Sequence, residues 1–141
     1  MHATKIVGVT HPNNDGSSRQ ELLHEVKQRG DQHVILKHEK DNPKSDRAIA
    51  VYDIQGRQLG YIDDAVARGY INHIKAQGSA RAQIFCIVGG SDGKDYGCEI
   101  IILHPGESEV TIVHEPEKSG KAWSYLSIIL VIAAFVFYII R

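Results

Sequence analysis

From Ala122 to Ile140 the chain reads AWSYLSIILVIAAFVFYII, nineteen residues without a charge. At roughly 1.5 Å of rise per residue, a helix of that length reaches about 28 Å, close to the hydrocarbon thickness of a bilayer. A buried core helix normally keeps a polar face, and here only Ser124 and Ser127 interrupt the apolar surface. Trp123, Tyr125 and Tyr138 stand where interfacial aromatics belong, and Lys118, Lys121 and Arg141 flank the run. The stretch predicts one C-terminal transmembrane helix, and it leaves the rest of the 141-residue chain room for a single small domain.

The opening residues, MHATKIVGVTHPNN, lack the long apolar region of a secretory signal, so the span is expected to emerge last. That is the order of a tail-anchored, single-pass protein with a cytoplasmic N-terminal domain. Two lysines before the span against one arginine after it agree with that orientation. The expected organisation is a domain over 1–105, a polar linker over 106–121 and the span over 122–140.

Within the domain the apolar pattern comes in short β-rich runs broken by turn residues. Lys5 to Thr10 reads as a strand ended by HPNNDG. Ser18, with Glu21 three residues later, marks a helix start, Gly30 its end, and Leu22, Leu23 and Val26 its buried stripe. His33 to Lys40, Ala48 to Asp53 and GRQLGYI then form a three-strand meander. A second helix begins at Asp63 or Asp64 and ends at Gly78, with Val66, Tyr70 and Ile74 on its buried face. AQIFCIV and CEIIIL flank a glycine-rich hairpin, and Glu109 to His114 (EVTIVH) reads as one further strand. About six short antiparallel strands with two inserted helices predict a mainly β (α+β) fold, an OB-like β-barrel whose closure removes exposed sheet edges.

Several chemistries are argued against by spacing. The glycine-rich loop places Val88 six residues before Lys94 and Asp95 after it, so no phosphate loop forms there. No His or Cys pair has tight metal-ligand spacing, and no nucleophile elbow is present. Neither a metal nor another cofactor, a small-molecule substrate or an enzymatic reaction is expected. Cys86 and Cys98 are expected to be free thiols in a cytosolic setting, although a hairpin could bring them face to face. Met1 to Pro105 carries 13 basic and 13 acidic residues, a balance that argues against broad binding to duplex DNA and permits only a local basic patch.

One such patch surrounds the loop in LKHEKDNPKSDRAIAVY. Asp41, Asn42, Ser45 and Asp46 supply hydrogen-bonding groups, with Lys37, Lys40, Lys44 and Arg47 around them. Acceptors for a sugar hydroxyl and cations for a phosphate are thus close together, while the same residues also make an ordinary Asn-Pro turn. IVGV near the start, then L-x-H-E-x-D-N-P-x-S-D-x-A-I-A-V-Y, then G-R-Q-L-G-Y-I before a helix, resembles the HIRAN domain over roughly Lys5 to Leu103. The resemblance implies a modified OB-like barrel that captures the 3′ end of single-stranded DNA. It assigns the acidic group on the terminal hydroxyl to Asp46, or to Ser45 without a gap, and the loop asparagine to Asn42. Tyr61 takes the place of a DNA-contacting histidine, and His11 and Pro12 fall where stacking aromatics are supplied. Stacking is worth about 1–3 kcal/mol per base, so histidine and proline there lower affinity by about tenfold or more unless another ring stacks. The expected function is a membrane-anchored module for single-stranded or terminal DNA, with contacts from His11, Lys37, Asn42, Lys44, Ser45, Asp46, Arg47 and Tyr61. The alternative is a membrane-tethered module that binds a protein or peptide partner and no DNA, for which the neutral charge and the anchor argue.

Overall fold

Three consecutive antiparallel strands start the sheet: β2 (His33–His38), β3 (Ile49–Tyr52) after a loop over residues 39–48, and β4 (Gln58–Ile62) after a short turn, the predicted meander. In this computed structural model, which describes residues 2–104 and 106–112, they are joined by β1 (His2–Val7), β5 (Ala80–Val88) and β6 (Gly97–Ile102). The six strands close in the order β1-β4-β3-β2-β5-β6, every neighbouring pair antiparallel. This is the predicted barrel, and its two helices are α1 (Arg19–Arg29) and α2 (Asp64–Gln77).

Strand β1 begins and ends three residues earlier than the expected Lys5 to Thr10. Its partner β6 offers a ladder down to His2, opposite Ile102, and a turn in which the His11 amide donates to the Gly8 carbonyl (3.2 Å) ends it before Thr10. α1 starts where the cap predicts: Ser18 Oγ accepts from the Glu21 amide at 3.3 Å, and Gly30 closes the helix in the left-handed region. Leu22, Leu23 and Val26 are buried as expected. In α2, Asp63 Oδ1 accepts from the Ala65 amide (3.0 Å), but the buried face is Ala67, Ile71 and Ile74. Val66 and Tyr70 lie at its margin, because the phenol of Tyr70 turns outward between His2 and His104.

Register places the helices at opposite ends of the barrel. α1 follows the Val7 end of β1 and α2 the Ile62 end of β4, and Val7 and Ile62 mark opposite directions along one ladder. The apolar faces of both helices join Leu36, Ile49, Leu59 and Ile100 in one core, each such side chain contributing about 1.5–3 kcal/mol by burial. Closure between β1 and β4 requires Gly60: a Cβ there would overlap the Val7 carbonyl oxygen and come within 2.7 Å of Ile6 Cγ2.

Asp53 is the most deeply enclosed charged group among the described residues. Only 1% exposed, it shapes the β3–β4 turn by accepting the amides of Gln55 and Arg57 on Oδ1, at 3.0 and 2.9 Å. Its Oδ2 accepts from the guanidinium groups of Arg57 (3.0 and 2.8 Å) and Arg29 (3.2 Å), so the buried charge is fully paired. Cys86 and Cys98 are free thiols on adjacent strands, Cys86 opposite Glu99 and Cys98 opposite Ile87.

The further strand expected within Glu109 to His114 is not seen in its described part: residues 109–112 are irregular. The later linker and the expected span over Ala122 to Ile140 lie outside the described residues. Among those described, no helix is long and apolar enough to cross a membrane.

Candidate nucleic-acid interface

Side chains directly opposite one another in antiparallel strands share a face. The pairs Lys37–Ala50, Ala50–Tyr61 and Tyr61–Val7 therefore make one row across the outside of β2, β3, β4 and β1. Ala50 is buried yet lies outside the core cluster, covered on this outer face by its larger neighbours. Two residues further along β3 stands Tyr52. The Lys37 ammonium lies 5.5 Å from the centre of the Tyr52 ring, and the Arg19 guanidinium 5.3 Å from that of Tyr61. Burial pushes the Tyr52 hydroxyl above its ordinary pKa, and the charges of Glu39 and then Tyr61 add to that shift. Each of the two phenol rings thus stands beside a cation.

Arg19 is held rigidly although it begins a helix. Its Nε donates to Asn13 Oδ1 (2.6 Å) and its Nη1 to the Gly8 carbonyl (2.8 Å). At Gly8 three groups converge: the space a Cβ would occupy is 3.2 Å from Arg19 Nη1, 3.9 Å from the Tyr61 ring and 4.0 Å from the His11 ring. His11 is exposed at this corner, and Pro12 pairs instead with Ser18 in an isolated bridge.

The loop of residues 39–48 borders the opposite end of the face. Asn42 is spent on shaping it: Oδ1 accepts the amides of Lys44 (2.9 Å) and Ser45 (3.2 Å), and Nδ2 donates to Glu39 Oε2 (2.7 Å). Ser45 Oγ donates to Asp64 Oδ1 (2.8 Å) and accepts the Arg47 amide (3.2 Å), while Arg47 Nη2 donates to Asp64 Oδ2 (3.1 Å). These bonds, Ser45 first and then Arg47, hold the Asp64 carboxyl below its ordinary value. Asp46 is left with an exposed carboxylate that has no hydrogen-bond or ion-pair partner among the described residues. Its carbonyl oxygen lies 2.9 Å from His38 Nε2.

Of the residues singled out by sequence, Lys37, Tyr61 and His11 lie along the outer face, with Lys44 and Asp46 exposed on the bordering loop. Asn42, Ser45 and Arg47, expected to contact a ligand, spend their polar groups largely on the loop and on Asp64. Three residues were missed. Tyr52 was read only as strand, although its outward phase follows from alternation with Val51; Arg19 was read only as helix; Asp64 was read only as a helix start. Among the described residues no group of three His, Cys, Asp or Glu side chains is placed to hold a metal ion.

A closed six-strand barrel, plugged at both ends by helices and bearing an outward aromatic and basic face, defines a small β-barrel module. The sequence model of the HIRAN domain matches residues 2–102, and the chain belongs to that family. A crystal structure of a protein from Lactobacillus plantarum is similar in fold, with 17% identity, a TM-score of 0.51, and coverage of 74% of this chain and 94% of that one. The crystal structure of the HIRAN domain of human HLTF is 18% identical, with a TM-score of 0.44 over 72% of this chain and 73% of that one. No curated protein matches the chain.

Proposed function

We propose that the barrel binds single-stranded DNA along the outer face of β2, β3 and β4, with the 3′ end at the loop of residues 39–48. The observation that carries this reading is that Tyr52 and Tyr61 lie on one outer face of adjacent strands, with Lys37 over the first ring and Arg19 over the second. Aromatic rings accept any base by stacking, and the adjacent cations meet the phosphates. Tyr52 supplies the second ring that His11 and Pro12 do not. Asp46 offers an uncommitted acceptor for a terminal hydroxyl, in line with the family's capture of 3′ ends. Asn42, Ser45 and Arg47 serve this site by holding the loop in shape, and Lys44 adds a cation at its rim. The module acts without catalysis. It is tethered by the apolar run at 122–140 through the polar linker 106–121, with the domain of residues 1–105 on the cytoplasmic side.

Fluorescence anisotropy with labelled oligonucleotides tests the binding. Stronger binding to a free than to a blocked 3′ end is expected, and equal, negligible binding to both rules the reading out. Partition of the chain into membranes that resists alkaline extraction tests the tether. The second reading, a membrane-tethered protein-interaction module, is favoured by Val7, 39% exposed beside Tyr61. A pull-down from solubilised membranes that recovers no specific partner counts against it.

A further inference from the structure

Beyond Tyr52 the outer face opens into a pocket of about 550 Å³, between residues 13–18, the first turns of α1 and the β3–β4 hairpin. Its size suits one nucleoside. Asn13 forms the partition: Nδ2 donates to the Gln58 carbonyl (2.8 Å), and Oδ1 accepts from the Arg19 that covers Tyr61. Tyr52 belongs to both sides, lining the pocket while its ring carries Lys37.

The wall selects what can enter. Asp15, Glu21 and Glu25 bring three carboxylates, and the nearby cation Arg57 is already paired with Glu25 (2.6 Å) and Asp53 (2.8 Å). A phosphate is repelled by such a wall, whereas a neutral base is not. Glu21 is the uncommitted acceptor, with no hydrogen-bond or ion-pair partner for its carboxylate among the described residues. Gln58 Nε2 is enclosed without a hydrogen-bond partner, a donor whose desolvation is relieved if the amide turns to a ligand.

We propose that this pocket receives one unstacked nucleobase bearing an exocyclic amino group, donated to Glu21, with Gln58 on the neighbouring ring acceptor or carbonyl. Adenine, cytosine and guanine have such a group, and thymine has none. The inference rests on the reading of Tyr52 and Tyr61 as a single-strand platform, since the strand must pass Tyr52 to deliver its base.

The test is a position scan with the full-length chain in detergent: an all-thymine oligonucleotide with a free 3′ end, against the same oligonucleotide with one adenine, cytosine or guanine placed at successive positions. At one position the amino-bearing bases are expected to bind about tenfold more tightly than thymine. Glu21→Ala and Gln58→Ala should each bring that ratio close to one. Strong binding that is indifferent to the base at every position overturns the pocket and leaves the platform standing. So does a preference that persists in both variants. No binding to any oligonucleotide overturns both readings. As a second measurement, millimolar deoxycytidine should shift the Gln58 side-chain amide resonances and thymidine should not; equal shifts from both overturn the pocket.

Discussion

Ser45 Oγ donates to Asp64 Oδ1 at 2.8 Å, tying the loop between β2 and β3 to the first turn of a helix nineteen residues further along the chain. The same carboxylate accepts from Arg47, so one side chain sets the conformation of a segment that has no strand or helix of its own. Its cost is low because Asp64, at the helix start, also faces the positive end of the α2 dipole.

That tie titrates. The Asp64 carboxyl is lowered from an ordinary value of 3.8, so the tether is fully present above that value and is lost as pH falls through the lower folded-state value. The protection factors of the Arg47 and Ala48 amides, measured by NMR exchange and corrected for the intrinsic rate at each pH, should hold near pH 5 and fall only as pH drops below the ordinary value of 3.8. Asp64→Asn should show the lowered protection at every pH while α1 and the barrel strands stay protected; unchanged protection in that variant contradicts the tether.

Tyr52→Ala and Tyr61→Ala should each weaken oligonucleotide binding by about 1–3 kcal/mol, about five- to 150-fold, with the melting temperature little changed. The comparison is by anisotropy at one fixed salt concentration. A loss in Tyr61→Ala alone would place the strand elsewhere than across β3.

Gly60→Ala meets backbone, since the new methyl overlaps the Val7 carbonyl. Strands β1 and β4 must part to admit it, and a loss of about 3 kcal/mol or more is expected in chemical denaturation, as for other overpacked sites. Gly56→Ala, where a Cβ meets nothing within 4 Å but φ is +82°, should cost only about 1–2 kcal/mol.

Burial pushes the Cys98 thiol up to about 12, with the neighbouring Cys86 adding to the shift. Only about one molecule in 10⁴ then carries the Cys98 thiolate at pH 8. Iodoacetamide should label Cys86 first and Cys98 only on unfolding, as read by peptide mass spectrometry; labelling of both in the folded protein at similar rates contradicts this packing.

What could be read from sequence depended on how far apart the interacting groups lie. Ser18 and Gly30 mark α1 because the backbone groups they serve, the Glu21 amide and the Val26 and Lys27 carbonyls, are within five residues, and the meander turns at Asn42-Pro43 and Gly56 are equally local. Alternation puts Tyr52 on the outside of β3, but its partner is Gln58 and that of Tyr61 is Ala50, so the placing of the two rings relative to each other depends on the β3–β4 register and its shift between Val51 and Tyr52. The reading of α2 took Tyr70 from the four-residue spacing of Val66, Tyr70 and Ile74, whereas the small Ala67 faces the core and Tyr70 stacks 5.4 Å from His104. At the loop, composition put Asn42, Ser45 and Asp46 forward alike as hydrogen-bonding groups, but could not say that Asn42 and Ser45 turn inward to build the loop while Asp46 stays free.

His2 and Ile102 face each other across the β1–β6 ladder, so the first and last strands of the barrel leave it at one pole, with Cα atoms about 5 Å apart. Such a module can be spliced into a loop of a host protein, or appended at either end, without stretching the host backbone or bending its own sheet. The same geometry makes circular permutation feasible: joining those ends by a short glycine linker and opening the chain at the 89–96 hairpin should return the same closed sheet. In physical terms the barrel is a cassette, and its neighbours in a longer chain are free to change while the face bearing Tyr52 and Tyr61 is kept.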